Sequence, residues 1–177
     1  MSKNIFIGGV SRAGKSTLSQ MLKKDIYNHI PLDYFVVSLK MNFPELGISD
    51  SAIINESSEK IAIFLSNITE RIERRNEKFI IDSAHIMPHD IIKYLDKDKW
   101  DIYYLGYPNT TKEKKLEIIR KHDSKVDWTN KLTDEQLLDV IDKLITISAK
   151  IKKECKNYNI NFIDTSESLE VLKQISK

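Results

Sequence analysis

Apolar positions along the chain follow two alternating patterns, short continuous runs and stripes with helical spacing. Continuous runs bounded by polar or turn-forming residues are typical of buried strands, and they occupy 4–7, 78–82, 100–107 and 160–166. Apolar residues spaced three or four apart predict amphipathic helices, which cover 15–26, 57–77 and 133–151. Strands that alternate with helices predict an α/β fold with a mostly parallel sheet.

Three less regular segments complete this alternation. Residues 27–33 predict a strand that delivers Asp33 at its end, and a helix follows over 34–40, although the spacing there also fits a strand. Pro88 at a first helical position predicts a short helix through Leu95. A terminal helix is predicted over 167–175.

Two helix starts carry the spacing of capping boxes, Thr110 with Glu113 and Thr133 with Gln136. No internal repeat, linker or low-complexity segment interrupts the pattern. We therefore expect a single domain over 1–177.

The composition adds several exclusions. A net charge of +2 provides no large basic field, which makes nucleic acid an improbable partner. No segment has the roughly 20 apolar residues of a membrane helix, and the apolar run near the N-terminus is too short for a signal peptide. The single cysteine, Cys155, fits a reducing compartment. We expect a cytoplasmic protein without a membrane partner, and the sequence leaves its oligomeric state open.

The most specific motif lies between the first strand and the first helix. Residues 9–16 match the Walker A pattern G-x-x-x-x-G-K-[ST] without departure, and chance yields such a string in about one chain in a hundred of this length. Glycines let successive N–H groups point at phosphate oxygens, while Lys15 reaches the β and γ phosphates and Ser16 ligates magnesium. We call residues 9–16 the phosphate loop. The residues expected to bind ATP are Gly9, Val10, Ser11, Arg12, Ala13, Gly14, Lys15, Ser16 and Thr17.

Guanine specificity is not favoured. The segment 130–134 (NKLTD) resembles the guanine-reading N-K-x-D motif, but its aspartate comes one residue too late and the segment leads into a capped helix. Residues 82–85 (DSAH) also lack the glycine of a D-x-x-G switch. ATP with Mg²⁺ is therefore the expected nucleotide.

Four features of the sequence resemble those of the small P-loop kinases. They are the phosphate loop, the aspartate 18 residues after Lys15, the strand that ends at 82 and the terminal segment 163–172. That group includes nucleoside monophosphate, shikimate and gluconate kinases and chloramphenicol phosphotransferase. The resemblance covers the organisation of nearly the whole chain. It implies a three-layer αβα domain with five parallel strands, and a helical lid on the same edge as the phosphate loop.

The resemblance also implies roles for individual residues. Asp33 matches an aspartate that orients or deprotonates the acceptor hydroxyl, although it could equally be a helix N-cap. Asp82 matches a Walker B carboxylate that serves magnesium, and His85 could face the acceptor. A lid over about 108–132 would bring Arg120 to the transferred phosphoryl group. The loop 164–166 matches the loop that passes near the adenine.

The arginines bear on the identity of the acceptor. Three of the five, Arg71, Arg74 and Arg75, precede the strand at 78–82 and should lie at the far edge of the sheet. Monophosphate kinases need arginine clamps for two sets of phosphates. The scarcity favours transfer to the hydroxyl of an uncharged or weakly charged small molecule, in a pocket bordered by 40–49. Nucleoside or nucleoside monophosphate kinase, nucleic-acid end kinase and a regulatory ATPase without acceptor remain alternatives.

Overall fold

The described residues of this computed structural model, 2–23, 26–51, 53, 55–75 and 77–175, form one sheet of five parallel strands in the order β2-β3-β1-β4-β5. The strands are β1 (Asn4–Gly9), β2 (Asn28–Pro31), β3 (Phe79–Asp82), β4 (Trp100–Gly106) and β5 (Asn161–Asp164). The helices are α1 (Lys15–Leu22), α2 (Asp33–Asn42), α3 (Ser58–Arg75), α4 (Pro88–Tyr94), α5 (Lys112–His122) and α6 (Asp134–Asn157). The expected α/β architecture with five parallel strands is confirmed.

The central strand β1 places the phosphate loop at the carboxyl edge of the sheet. All six of its residues are buried, as a strand covered on both faces requires. Its register pairs Ile7 with Asp82 of β3 and Gly9 with Leu105 of β4. The last residue of β3 therefore lies beside the start of the phosphate loop.

The edge strand β2 explains a proline within the sheet. Pro31 pairs with Asp82 at one border of the sheet, where a missing N–H leaves no ladder bond unmade. The strand predicted over 27–33 is present but ends at Pro31. The segment 34–40, which also fitted a strand, is part of α2, and Asp33 is its first residue.

The long helices α3 and α6 pack their predicted stripes against the interior. The buried residues of α3 include Ile61, Leu65 and Ile72, and those of α6 include Leu137, Ile141, Leu144, Ser148 and Ile151. The capping box predicted for α6 is present, with Thr133 and Gln136 each bonded to the other's backbone. No helix within the described residues is both long and apolar enough to cross a membrane.

Among the helix boundaries that differ from the prediction, the end of α1 and the start of α5 have a visible local cause. Helix α1 ends at Leu22, and Ile26 lies outside it with 56% of its surface exposed, because the backbone at Lys23 is extended where the chain leaves the helix. Helix α5 is capped by Thr111, whose side chain accepts the Lys114 N–H, and not by Thr110 as predicted.

The predicted terminal helix is a 3₁₀ helix over Leu169–Gln174. A Cβ built at Gly14 would lie 2.7 Å from Leu169 and 3.2 Å from Leu172, so both leucines pack under the phosphate loop. Residues three apart eclipse one another in a 3₁₀ helix, which lets both side chains reach the same surface.

Candidate active site

The phosphate loop turns through three residues in the left-handed backbone region. The φ angles are 126° at Gly9, 62° at Arg12 and 95° at Gly14. A Cβ at Gly9 would lie 2.0 Å from the carbonyl oxygen of Leu105, in a backbone that cannot move aside. The motif therefore needs its glycines for the tight turn.

Side-chain donors hold three successive carbonyls of the phosphate loop. Lys15 Nζ, the Tyr107 hydroxyl and Lys115 Nζ donate to the carbonyl oxygens of residues 10, 11 and 12 at 2.9, 3.0 and 2.9 Å, respectively. These three contacts hold the backbone of the phosphate loop in place from three different side chains.

A cavity of about 260 Å³ lies between the phosphate loop, α5 and the C-terminal 3₁₀ helix. Its lining residues are Arg12, Gly14, Lys15, Ser16, Thr17, Lys115, Ile118, Ile119, His122 and Leu169. Those from α5 have the spacing i, i+3, i+4 and i+7, so a single helix face forms that wall. The lining contains three basic side chains and a histidine, and no carboxylate among the described residues, which suits a triphosphate.

Lys15 lines this cavity and interacts electrostatically with two carboxylates. Burial lowers the pKa of Lys15, while the negative charges of Asp33 and Asp82 oppose that shift. These three predicted site residues are thus electrostatically coupled at the carboxyl edge of the sheet.

Asp33 connects the start of α2 to the loop after β3. Its Oδ1 accepts the Ala84 N–H at 3.1 Å and lies 3.5 Å from Nε2 of His85. It makes no capping bond to α2, so the N-cap alternative is not what the structure has. Burial lowers the pKa of His85, which Asp33 opposes and Lys15 reinforces, so the imidazole beside Asp33 is neutral near pH 7.

The segment 40–49 is connected by an ion pair to Asp50, which lies near His85. Lys40 Nζ donates to Asp50 Oδ1 at 2.7 Å. That hydrogen bond lowers the pKa of Asp50, an effect that burial opposes and the nearby His85 reinforces. Asp50, which follows this segment, therefore lies near the Asp33–His85 pair, and the role of 40–49 as a border of the acceptor pocket stays a prediction.

Asp82 is buried, and one of its two carboxylate oxygens makes hydrogen bonds. Its Oδ2 lies 2.5 Å from Nε2 of His29 and accepts from the Ser19 hydroxyl at 3.4 Å. Ser19 follows Ser16 by one helical turn, so Asp82 lies about one turn from the predicted magnesium ligand on α1. A hydroxyl and a carboxylate are hard oxygen donors that suit Mg²⁺, which retains most of its waters in such sites. The two side chains fit the predicted metal.

Arg120 is not brought to the phosphate loop. Its guanidinium donates to Asp134, to Asp123 and to the carbonyls of Thr129 and Leu132, at 2.9, 3.2, 2.9 and 2.7 Å. All four acceptors lie in the predicted lid, 108–132, or just after it. Arg120 therefore connects parts of this segment to one another, and both the lid and the catalytic role of Arg120 stay predictions.

The arginine that joins the lid to the phosphate loop is Arg12. Its guanidinium lies 2.7 Å from Asp123 and 3.2 Å from Asp127. Asp123 also accepts hydrogen bonds from the Arg120 guanidinium and from the Thr129 hydroxyl. Two arginines therefore meet at one lid carboxylate that is only 4% exposed.

Comparison with known proteins gives a fold but no closer relation. No protein-family model matches the chain, and no curated protein matches its sequence. The structure is similar to that of shikimate kinase from Bacteroides thetaiotaomicron, with a TM-score of 0.58, 16% sequence identity and coverage of 98% of this chain and 94% of that chain. The chain has the fold of shikimate kinase. At this identity the similarity shows the fold alone.

Within the shikimate kinase fold, sequence reasoning missed three side chains at the site. His29 is far from Asp82 along the chain, and no local pattern relates the two. Tyr107 ends the strand predicted over 100–107 and Lys115 lies in the predicted lid without an assigned role, yet both hold the phosphate loop. The helical spacing of Lys115 with Ile118, Ile119 and His122 is the signal that could have revealed an inward face.

Proposed function

We propose that this protein is an ATP-dependent kinase that transfers the γ-phosphoryl group to a hydroxyl of an uncharged small molecule. The observation that carries the proposal is that Lys15 both lines a cavity of basic character and interacts electrostatically with Asp33 of the Asp33–His85 pair. A γ-phosphate bound by Lys15 and an acceptor hydroxyl held at Asp33 would then be close enough to react.

Each side chain has a distinct task in this proposal. Asp33 is the general base: it accepts the proton of the acceptor hydroxyl as the new O–P bond forms and the bond to the ADP oxygen breaks. The Ala84 N–H and the neutral His85 hold its carboxylate in position. Lys15 and the backbone N–H groups of the phosphate loop stabilise the charge on the phosphoryl oxygens.

Ser16 and Asp82 would hold Mg²⁺, directly or through water. When bound, the ion neutralises charge on the β and γ phosphates. The Asp82 side chain is oriented for this by His29 and Ser19.

The charges around the acceptor side support an uncharged acceptor. Arg71, Arg74 and Arg75 lie at the end of α3, before β3 begins at the opposite edge of the sheet. Arg12 is paired with Asp123 and Asp127, Arg120 is paired with Asp123 and Asp134, and Lys40 is paired with Asp50. No arginine of the described residues is thus left to clamp a second phosphate at the acceptor.

The proposal is tested by a screen of MgATP consumption against sugars, cyclic alcohols, hydroxylated antibiotics, nucleosides and nucleoside monophosphates, with products identified by mass. We expect phosphorylation of a neutral hydroxyl compound by the wild type and none by Lys15→Ala, with both proteins folded. Transfer to a nucleoside monophosphate would identify the monophosphate kinase alternative. ATP hydrolysis that no acceptor changes would favour a regulatory ATPase and contradict the proposal.

A further inference from the structure

Lys115 has an environment unlike that expected for a lysine on a lid helix. It is 2% exposed, whereas its neighbours Lys112 and Lys114 lie at the surface. Its Nζ donates to the Arg12 carbonyl oxygen at 2.9 Å and lies 3.9 Å from the centroid of the Tyr107 ring. The ring face and the carbonyl dipole both stabilise a positive charge at this point.

The ammonium group also borders the cavity of the phosphate loop. Lys15 enters that cavity from the start of α1, and Lys115 enters it from α5. Two lysines from two different walls therefore line one space. That arrangement has a physical use if the space holds several negative charges.

The described residues give Lys115 no carboxylate partner. The titratable or charged groups that face it are Arg12, on the phosphate loop, and Tyr107, while Lys15 and His122 share its cavity. Burial and the positive charge of Arg12 together lower the pKa of Lys115 to about 8. A buried cation without a counter-ion is unfavourable, and a polyanion in the cavity would remove that penalty.

We propose that Lys115 is a second phosphate-binding lysine, which joins α5 to the phosphate loop and delivers positive charge to the nucleotide from the side of the lid. This inference rests on the proposed nucleotide-binding function of the same cavity. A bound triphosphate favours the protonated amine, so the pKa of Lys115 rises on binding. Binding is therefore accompanied by proton uptake, which is largest above about pH 8 and small at about pH 6.5, where Lys115 is already protonated.

Isothermal titration calorimetry with Mg²⁺ and the non-hydrolysable analogue AMP-PNP tests this directly. Titrations at about pH 6.5 and about pH 8.5, each in two buffers with different enthalpies of ionisation, give the number of protons bound. Two variants complete the design. Lys115→Met keeps the length of the side chain without its charge, and Lys115→Arg keeps the charge without titrating in this range.

For the wild type we expect clear proton uptake at the higher pH and little at the lower pH. Lys115→Met should lose that uptake and bind about tenfold more weakly near pH 7, because one charge-assisted contact is removed. Lys115→Arg should also lose the uptake yet bind with an affinity close to that of the wild type at both pH values.

Lys115→Arg decides the question even if Lys115→Met does not fold, because Lys15 lines the same cavity with a lowered pKa and wild-type uptake alone would not separate the two lysines. Uptake that persists unchanged in Lys115→Arg would assign the proton to another group and overturn the inference. Binding without proton uptake, with an unchanged affinity in Lys115→Met, would overturn the inference and leave nucleotide binding intact. Failure of the wild type to bind MgAMP-PNP at either pH would overturn the proposed function, and this inference with it.

Discussion

Replacement of Arg120 by alanine distinguishes two roles for this side chain. As a lid fastener, Arg120 contributes to stability through the four bonds seen in the structure. As a transition-state group, it would contribute to turnover with little effect on the folded state. The consequences for stability and for kcat therefore separate the two.

The expected loss of stability follows from the partners. Two bonds go to backbone carbonyls and one to the buried Asp123, while the fourth goes to Asp134, which is 68% exposed. Hydrogen bonds from a charged donor contribute about 1.5–3 kcal/mol each at most, and an exposed ion pair less than about 1 kcal/mol. Asp123 keeps its contacts with Arg12 and Thr129 in the variant, so no buried charge is orphaned. The contributions of neighbouring hydrogen bonds are not additive, so we expect Arg120→Ala to lower the free energy of unfolding by about 2–4 kcal/mol.

This loss is measurable by thermal denaturation and by hydrogen exchange. For a chain of this length it lowers Tm by about 4–15 °C. Exchange should accelerate most in 123–133, the segment that Arg120 holds. Arg74→Ala is the matched control, since Arg74 is 74% exposed and pairs only with the exposed Glu70 among the contacts described. Its stability should change by less than about 0.5 kcal/mol.

The opposite pattern would refute this reasoning. If Arg120→Ala retains the stability and exchange of the wild type while kcat falls by a factor of about 10³, the guanidinium acts on the transferred phosphoryl group. Arg120 would then leave the contacts seen here during the reaction and reach the phosphoryl group, as the resemblance to small P-loop kinases implies.

Three further outcomes are expected. Asp82→Asn should raise the magnesium concentration needed for half-maximal activity, and an unchanged magnesium titration would remove Asp82 from the metal site. Competition binding should favour MgATP over MgGTP, because Asp134 of the NKLTD segment is paired with Arg120 and lies at the start of α6; a preference for GTP would contradict this. Asp90 is buried, and although burial raises its pKa, hydrogen bonds from Ser58 and Lys93 hold that pKa below the ordinary value. The hydrogen bonds of ionised Asp90 therefore stabilise the fold at pH values above about 4, and this stabilisation is lost as pH falls through the lowered pKa. Asp90→Asn should reduce the free energy of unfolding by about 1–3 kcal/mol at pH 7 and by progressively less in acid. Urea titrations at several pH values would measure this difference.

The sequence predicts those parts of this fold whose causes are local. A continuous apolar run marks a strand buried on both faces, and the backbone of the phosphate loop can be made only with glycine at 9 and 14. The Thr133 capping box likewise depends on residues three apart. Such features leave their signature within a few neighbouring residues.

Contacts between distant segments left no comparable signature. Lys115 is buried only because α5 packs against a carbonyl about 100 residues earlier, at Arg12. The pairing of His29 with Asp82 depends on the adjacency of β2 and β3. The position of Arg120 in the predicted lid suggested a catalytic role, but four residues close to it in space accept its hydrogen bonds. Tertiary geometry, which one sequence does not display, decides each of these cases.

The fate of the γ-phosphoryl group tests the proposed kinase most directly. Once an acceptor has been identified, a single turnover with MgATP followed by ³¹P NMR separates acceptor phosphate from inorganic phosphate. The wild type should yield acceptor phosphate almost exclusively. Asp33→Asn should slow that transfer by a factor of about 10² or more while MgATP affinity is retained, since the base acts on the acceptor and not on the nucleotide. Release of inorganic phosphate alone by the wild type, or transfer at the wild-type rate in Asp33→Asn, would contradict the assignment of a kinase that uses Asp33 as its base.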